Sequence, residues 1–179
     1  ELARIEAGEI DMEYSVFDPA DLSSLVSEVF GPLAEKKGIA LATEVSTSGV
    51  RIKSDVGKIR QILINLVGNA LKFTQRGAIA INVEYSGDEK DGRLSLEVRD
   101  TGIGISKRDQ TVLFDRFKQA DSSRSKSHGG TGLGLAICKQ LSDIMDGSIT
   151  VSSAPGVGST FTFSVPVERA DDQAHAVDT

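Results

Sequence analysis

The sequence predicts an α+β fold, a two-layer α/β sandwich, and three observations carry that expectation. Helical and strand-like segments follow one another irregularly, unlike the steady β–α–β succession of a doubly wound parallel sheet. The strand-like segments come in consecutive pairs joined by short polar turns. The helical segments keep their apolar residues to one stripe, which needs a sheet face to cover it. At 179 residues the chain suits one domain with a substantial core plus short appendages. Hydrophobic residues at 39% and charged ones at 26% are those of an ordinary globular protein, and the absence of Trp leaves the core mainly to Ile, Leu, Val and Ala. With 20 Lys+Arg against 26 Asp+Glu the net charge is −6, which argues against a duplex nucleic-acid binder while leaving room for a local basic patch. No run approaches the roughly 18 apolar residues of a membrane span. The single cysteine, Cys138, excludes an internal disulfide and a multi-Cys zinc site, and reads as a packed core thiol. His128 and His175 are the only histidines, and neither has a metal-ligand partner at useful spacing.

In chain order, residues 1–8 make a short helical stub ending in Gly8, too brief to stand alone, and a start at Glu1 reads as a fragment of something longer. Glu13–Asp18 alternates enough for an edge strand. Asp18 then caps a helix with Pro19 at its first position, Leu22, Leu25, Val26, Val29 and Leu33 at helical spacing, and a stop at Lys37-Gly38. Ile39–Val45 and Val50–Lys53 read as a hairpin around Ser/Thr/Gly turn residues. The longest helix spans Asp55–Thr74, with Ile59, Ile62, Leu63, Leu66, Ala70 and Phe73 on its apolar stripe. Strands follow at Ala78–Tyr85 and Leu94–Arg99, and Ser106 caps a helix to about Arg116. Residues 118–130 (KQADSSRSKSHGG) have almost nothing to bury and read as a mobile loop. A helix from about Thr131 to Met145 ends at Asp146-Gly147. Strands Ser148–Ser153 and Ser159–Val167 flank the turn Pro155-Gly156-Val157-Gly158, and 168–179 reads as a disordered tail or linker.

Three segments carry candidate chemistry. Asn65, Asn69 and Lys72 fall at i, i+4 and i+7 on one helix face, where amide oxygens can ligate a hard cation and a lysine can meet phosphate. A plain solvated face is the other reading. Asp100-Thr101-Gly102-Ile103-Gly104-Ile105 follows a strand, placing an acceptor-only carboxylate beside closely approachable backbone. Such a group suits an exocyclic amine such as that of adenine; a simple Asp-started turn is the alternative. Gly129–Leu135 leads a Gly-rich run into a helix N-terminus, an anion site by geometry and dipole. It is neither a dinucleotide fingerprint, lacking the preceding strand and the third Gly, nor a P-loop, since Gly-Lys-Ser/Thr does not occur. Each signal is weak alone; their order in one chain supplies cation ligands, base reader and phosphate cradle together. Gly156–Phe161 adds a further glycine turn entering a strand.

These segments resemble the boxes of sensor histidine kinases. Asn65-Leu66-Val67-Gly68-Asn69-Ala70-Leu71-Lys72-Phe73-Thr74 is similar to the N box, Asp100–Gly104 to the G1 box, Leu113-Phe114-Asp115-Arg116-Phe117 to the F box and Gly130–Leu135 to the G2 box. The likeness covers roughly residues 14–167, and Phe117-Lys118-Gln119-Ala120-Asp121 is closer in wording to the hybrid-type subgroup. Ile5-Glu6-Ala7-Gly8 is similar to the end of the second dimerisation-helix segment in these kinases.

The resemblance implies a catalytic, ATP-binding domain of GHKL type, with a mixed, mostly antiparallel sheet of about five strands on three helices. It implies domain limits of 1–10 for the end of the dimerisation segment, 11–167 for the catalytic domain and 168–179 for the tail. Asn69 would ligate Mg²⁺ with Asn65 in support, Lys72 would contact phosphate, and Phe73 would line the nucleotide pocket. Asp100 would accept from the adenine amine, with Gly102, Gly104 and Ile105 close by. Gly130, Thr131, Gly132, Leu133, Gly134 and Leu135 would offer backbone to the phosphates, with 118–130 folding over as a lid and Arg124 and Lys126 within it. Thr160 would lie beside the base pocket. The implied cofactors are ATP and Mg²⁺. The implied partners are the dimerisation domain bearing the phosphoacceptor histidine and a response-regulator receiver domain, with no nucleic acid and no direct membrane contact by this domain. The implied place is the cytoplasm, with a parent protein that could be membrane-anchored. Neither His128 nor His175 lies in the helical context of an acceptor, so the acceptor is expected outside this chain. A slow ATPase of the same fold and a catalytically silent nucleotide-binding scaffold are the alternatives.

Overall fold

A computed structural model of the chain describes residues 11–47, 49–88, 91–115 and 133–170. Its elements run β1 (Ser15–Phe17), α1 (Ala20–Lys37), β2 (Ile39–Val45), β3 (Ile52–Ser54), α2 (Val56–Phe73), β4 (Gly77–Ser86), β5 (Gly92–Asp100), α3 (Lys107–Gln110), α4 (Gly134–Ile144), β6 (Ser148–Ala154) and β7 (Gly158–Arg169). The expected stub at 1–8, the loop 118–130 with Arg124, Lys126 and His128, the residues Gly130, Thr131 and Gly132, and the tail from 171 onward lie outside the described residues.

The two long helices open on caps visible in the sequence, and α1 also closes on one. The Asp18 carboxylate accepts from the Ala20 amide at 2.8 Å, opening α1 across Pro19. Gly38 closes α1 in a left-handed conformation (φ 66°), its amide returning to the Ala34 and Glu35 carbonyls. At the head of α2 the Asp55 side chain accepts from the Lys58 amide at 3.0 Å. At its foot, Lys37 of α1 donates its ammonium to the Leu71 and Thr74 carbonyls, satisfying helix-end acceptors with a cation.

The sheet order is β1-β3-β7-β5-β4-β2, with β6 on the other side of β7 from β5. The row β2-β4-β5-β7-β6 is therefore the main sheet, and β2–β4 is its one parallel pairing among the described strands. β3 continues along the last residues of β7 (Ile52↔Arg169, Lys53↔Glu168) and β1 pairs with β3. Alternation separates the faces. Ile79, Ile81 and Val83 of β4, Leu94, Leu96 and Val98 of β5, and Phe161, Phe163 and Val165 of β7 point into the core. There they meet Leu22, Val26 and Phe30 of α1, Ile59 to Leu71 of α2, and Cys138 and Leu141 of α4. Arg93, Arg99 and Glu84 stand on the outer face. This is the expected α+β sandwich, and no described helix is long and apolar enough to cross a membrane.

Four element expectations change. Ile39–Val45 and Val50–Lys53 do not form a hairpin, because β2 pairs with β4 and β3 with β1 and β7. The Ser46 amide donates to the Val83 carbonyl at 2.9 Å, and Thr47 Oγ1 donates to the Tyr85 carbonyl at 3.0 Å, so the chain runs on beside β4 instead of turning back. The helix capped by Ser106 stops at Gln110, not near Arg116. Leu113 and Phe114 are drawn onto the core instead, Phe114 edge-on to Phe161 at 6.5 Å. Helix α4 begins at Gly134, later than Thr131, as expected where glycines weaken a helix interior. Strand β7 continues through Arg169, two residues past its expected end, because β3 supplies it with a second partner.

Candidate functional site

Helix α2 frames the site. Its apolar stripe is buried as the spacing demands: Ile59, Ile62 and Leu63 are fully covered and Leu66 is nearly so. Asn65, Asn69, Lys72 and Phe73 are half-buried, so they do not form a plain solvated face. Asn65 faces the start of α4, where a Cβ on Gly134 would lie 3.9 Å from its Oδ1. Its side chain also hydrogen-bonds with Cys138, whose thiol burial pushes up to about 12 against that opposing contact. An inert, packed thiol results. The Lys72 ammonium sits 5.3 Å from the centre of the Phe73 ring, a cation held over an aromatic face at the end of the helix.

The Asp100 loop abuts that end. Asp100, 7% exposed, closes β5, and its Oδ1 accepts from the Gly102 amide at 2.8 Å. Burial raises its carboxyl above the ordinary carboxylate range, while amide donors on Gly102 and Ser159 pull the other way. The Ile103 amide donates to the Phe73 carbonyl at 3.2 Å, so the loop is tied directly to the foot of α2. A Cβ on Gly102 would stand 2.4 Å from that carbonyl and 2.9 Å from Thr74 Oγ1, which only glycine avoids. Gly104, at φ 71°, approaches the Ala154 carbonyl just as closely, and the Gly156 amide donates to the Ile103 carbonyl at 2.7 Å. Ile105 is fixed by donating its amide to Ser153 Oγ at 2.8 Å and by accepting from Gln110 Nε2 at 2.8 Å. The close approaches at Gly102 and Gly104 are thus protein on protein, and they set the loop's shape.

The structure brings Asn65, Phe73, Asp100, Gly102 and Gly134 around one helix, with Asn69 and Lys72 between them on α2. Half-buried Leu133 precedes α4, which has no side-chain cap among the described residues, and Leu135 packs on the core from its first turn. Thr160 is a correction. It pairs with Arg99 on the outer sheet face, because side chains alternate along β7. Ser159, opposite Asp100 in the ladder, is the residue on the carboxylate's face. Sequence reasoning missed Ser159, along with Ser153, whose Oγ lies 2.9 Å from Ser159 Oγ. It also missed Thr74 as a site residue, a fully buried side chain whose Oγ1 has no hydrogen-bond partner among the described residues. The paired turn Gly156–Phe161 was the available signal for Ser159, read one residue out of register.

These groups fit a purine nucleotide. A buried acceptor beside an unpartnered hydroxyl is incomplete without a polar ligand or water, and the start of α4 offers helix-end amides to phosphate. Among the described residues no cluster of three or more His, Cys, Asp or Glu could hold a metal by itself. A hard cation here would need the Asn69 amide oxygen together with phosphate oxygens. A separate cavity of about 300 Å³ lies at the other end of the sheet, beside Met12, Ser54 and Met145, and takes in none of the expected site residues.

Known proteins share this fold. Residues 54–169 match the family described as histidine kinase-, DNA gyrase B-, and HSP90-like ATPase. The chain is 35% identical over 96% of its length to the autoinducer 2 sensor kinase/phosphatase LuxQ of Vibrio cholerae, of which it spans 20%. It spans comparably small shares of other curated relatives. Among solved structures, full-length ShkA in complex with AMPPNP superposes with a TM-score of 0.80 at 36% identity, over 94% of this chain and 34% of that one. The catalytic domain of the histidine kinase ThkA superposes with a TM-score of 0.70 at 29% identity, over 87% of this chain and 98% of that one. With this fold and the family match over residues 54–169, the chain belongs to the histidine kinase-, DNA gyrase B- and HSP90-like ATPase family, as a catalytic domain of the sensor histidine kinase type.

Proposed function

We propose that this chain binds ATP with Mg²⁺ and transfers the γ-phosphoryl group to a histidine on a dimerisation domain outside this sequence. That histidine would pass the group on to an aspartate of a response-regulator receiver domain. One observation carries the reading: a buried carboxylate, Asp100, is held by backbone donors where the foot of α2 meets the glycine loop. Its outward lone pairs suit the adenine amine, and Thr74 Oγ1 suits a water or ring nitrogen beside it. Asn69 would ligate Mg²⁺ with Asn65 in support, and Lys72 would steady phosphate one turn further on. The metal, when bound, would neutralise phosphate charge. The complex of ShkA with AMPPNP supports a triphosphate ligand for this fold.

In the transfer, a histidine ring nitrogen forms the new N–P bond as the bond from the γ-phosphorus to the bridging oxygen breaks, and ADP leaves. The protein's share is positioning and charge neutralisation. In the hydrolytic branches that this fold resembles, an acid one turn before the metal-binding Asn activates water; here that position is Asn65, and a neutral amide is a poor base. The reaction draws on cellular ATP, which supports a cytoplasmic place for the domain whether or not its parent is membrane-anchored. We read residues 1–10 as the end of the dimerisation segment and 11–167 as the catalytic domain, the described sheet carrying on to Arg169.

The test uses the 179-residue chain with γ-labelled ATP. It is expected to bind ATP·Mg²⁺ by calorimetry, to take up no label itself, and to label a histidine when the matching dimerisation domain is added. Stoichiometric self-labelling, or phosphate release near about 1 s⁻¹ and above, would sink the assignment.

A further inference from the structure

The head of α2, two turns before Asn65, holds an ion pair that nothing in the nucleotide site uses. Asp55 is 3% exposed and Lys58 9%. Asp55 Oδ1 accepts from the Lys58 amide at 3.0 Å, the ordinary work of a helix cap. Its other oxygen accepts from the Glu13 amide at 2.9 Å and from the Lys58 ammonium at 2.6 Å. The same ammonium donates to the Asp11 carbonyl at 2.8 Å. Two backbone groups of the incoming chain, just ahead of β1, are therefore paired with the first turn of α2.

Stability alone does not account for this arrangement. A serine would cap the helix, and a buried ion pair is seldom worth more than apolar residues of the same volume. What the second oxygen and the ammonium add is a fixed attachment of residues 11–13. We propose that Asp55 and Lys58 are positioning residues for phosphoryl transfer: they clamp the chain entering at Asp11 to α2 and so orient the nucleotide-holding face. The proposal rests on the reading of the preceding subsection, which places the acceptor histidine on that incoming side.

The path from clamp to site is short and stiff. Asn65 follows Lys58 by seven residues, about 10 Å along the helix. Ile59, Ile62 and Leu63 between them are fully buried, so the close-packed rod shifts as a unit. The cavity of about 300 Å³ borders the clamp through Met12 and Ser54 and reaches the far end of α4 at Met145 and Asp146. The two helices that meet at Asn65 and Gly134 thus both have their other ends at this junction.

The experiment uses the chain joined to its dimerisation domain. Lys58→Met keeps the aliphatic stem and removes both ammonium contacts; the double variant Asp55→Ser with Lys58→Met keeps a cap and leaves no orphaned charge. Hydrogen exchange over residues 11–17 reports whether the clamp has opened, and is expected to quicken in both. ATP Kd is expected to stay within about twofold of wild type, while the histidine phosphorylation rate at saturating ATP falls about tenfold to a hundredfold. Lys58→Arg is expected to recover most of that rate. An unchanged rate with residues 11–17 released, or an affinity that falls in step with the rate, overturns the clamp. ATP binding by the wild type is a separate check: its absence overturns both readings, whereas intact binding with an unmoved rate overturns this one alone.

Discussion

Asp100 faces opposed demands. To read a base against water, as we propose, it must be buried, yet burial penalises its charge, and among the described residues the Gly102 and Ser159 amides offset that. Asp100→Asn keeps an oxygen for the Gly102 amide but presents a donor where adenine also donates. ATP affinity is expected to fall about tenfold or more, the worth of one hydrogen bond to a charged group; an unchanged calorimetric Kd would remove Asp100 from the site. Asn69 is tested differently. Asn69→Ala is expected to weaken Mg²⁺-dependent ATP binding far more than Mg²⁺-free binding, and equal losses would refute a metal role. At this scale the sequence was legible in placement: Asp100 closes a strand beside glycines, and Asn65 and Asn69 share one half-buried helix face. It was not legible where a one-residue shift decides the face: Thr160 pairs with Arg99, and Ser159 stands opposite Asp100.

At the scale of elements, the loop from Asp100 to Ile105 and the β6–β7 turn behave as one unit. The Gly156 amide reaches the Ile103 carbonyl, the Ile105 amide reaches Ser153, and Gly104 passes the Ala154 carbonyl too closely for any side chain. Gly104→Ala adds a left-handed backbone penalty to a backbone clash that no rotamer relieves, so a loss of roughly 2 kcal/mol or more is expected. ATP affinity should fall with it, because the same loop carries Asp100. Denaturant melts of the nucleotide-free chain alongside calorimetry check both, and a variant of wild-type stability would mean the loop and turn are not packed this way. Helices α1 and α2 were legible because caps, stripe and C-terminal glycine are local signals. The pairing of β2 was not. A Ser/Thr/Gly connection looks the same whether the chain turns back or runs on beside β4, and that choice is made by contacts 36–38 residues away.

For the whole molecule, the two buried carboxylates tie stability to pH with opposite signs. Burial would raise Asp55, but hydrogen bonds from the Lys58 ammonium and the Glu13 and Lys58 amides hold it below its ordinary 3.8. A depressed folded value stabilises the fold above the unfolded pKa, and the contribution is lost as pH falls through the folded one. Asp100, held above 3.8, does the reverse: ionising it costs stability as pH climbs from 3.8 through its folded value. Asp55→Asn is therefore expected to be roughly 3–5 kcal/mol less stable than wild type at neutral pH, since it strands the Lys58 charge. That gap should narrow below pH 3.8. Asp100→Asn should gain on wild type over the window in which Asp100 ionises, becoming the more stable protein at neutral pH while binding ATP worse. A stable but poorly binding variant is the signature of a residue kept for its ligand at the fold's expense. Urea melts of the two variants and wild type from about pH 3 to about pH 8 decide the matter. Parallel curves would show that neither carboxylate is perturbed by the fold, and a less stable Asp100→Asn at neutral pH would make Asp100 a structural residue.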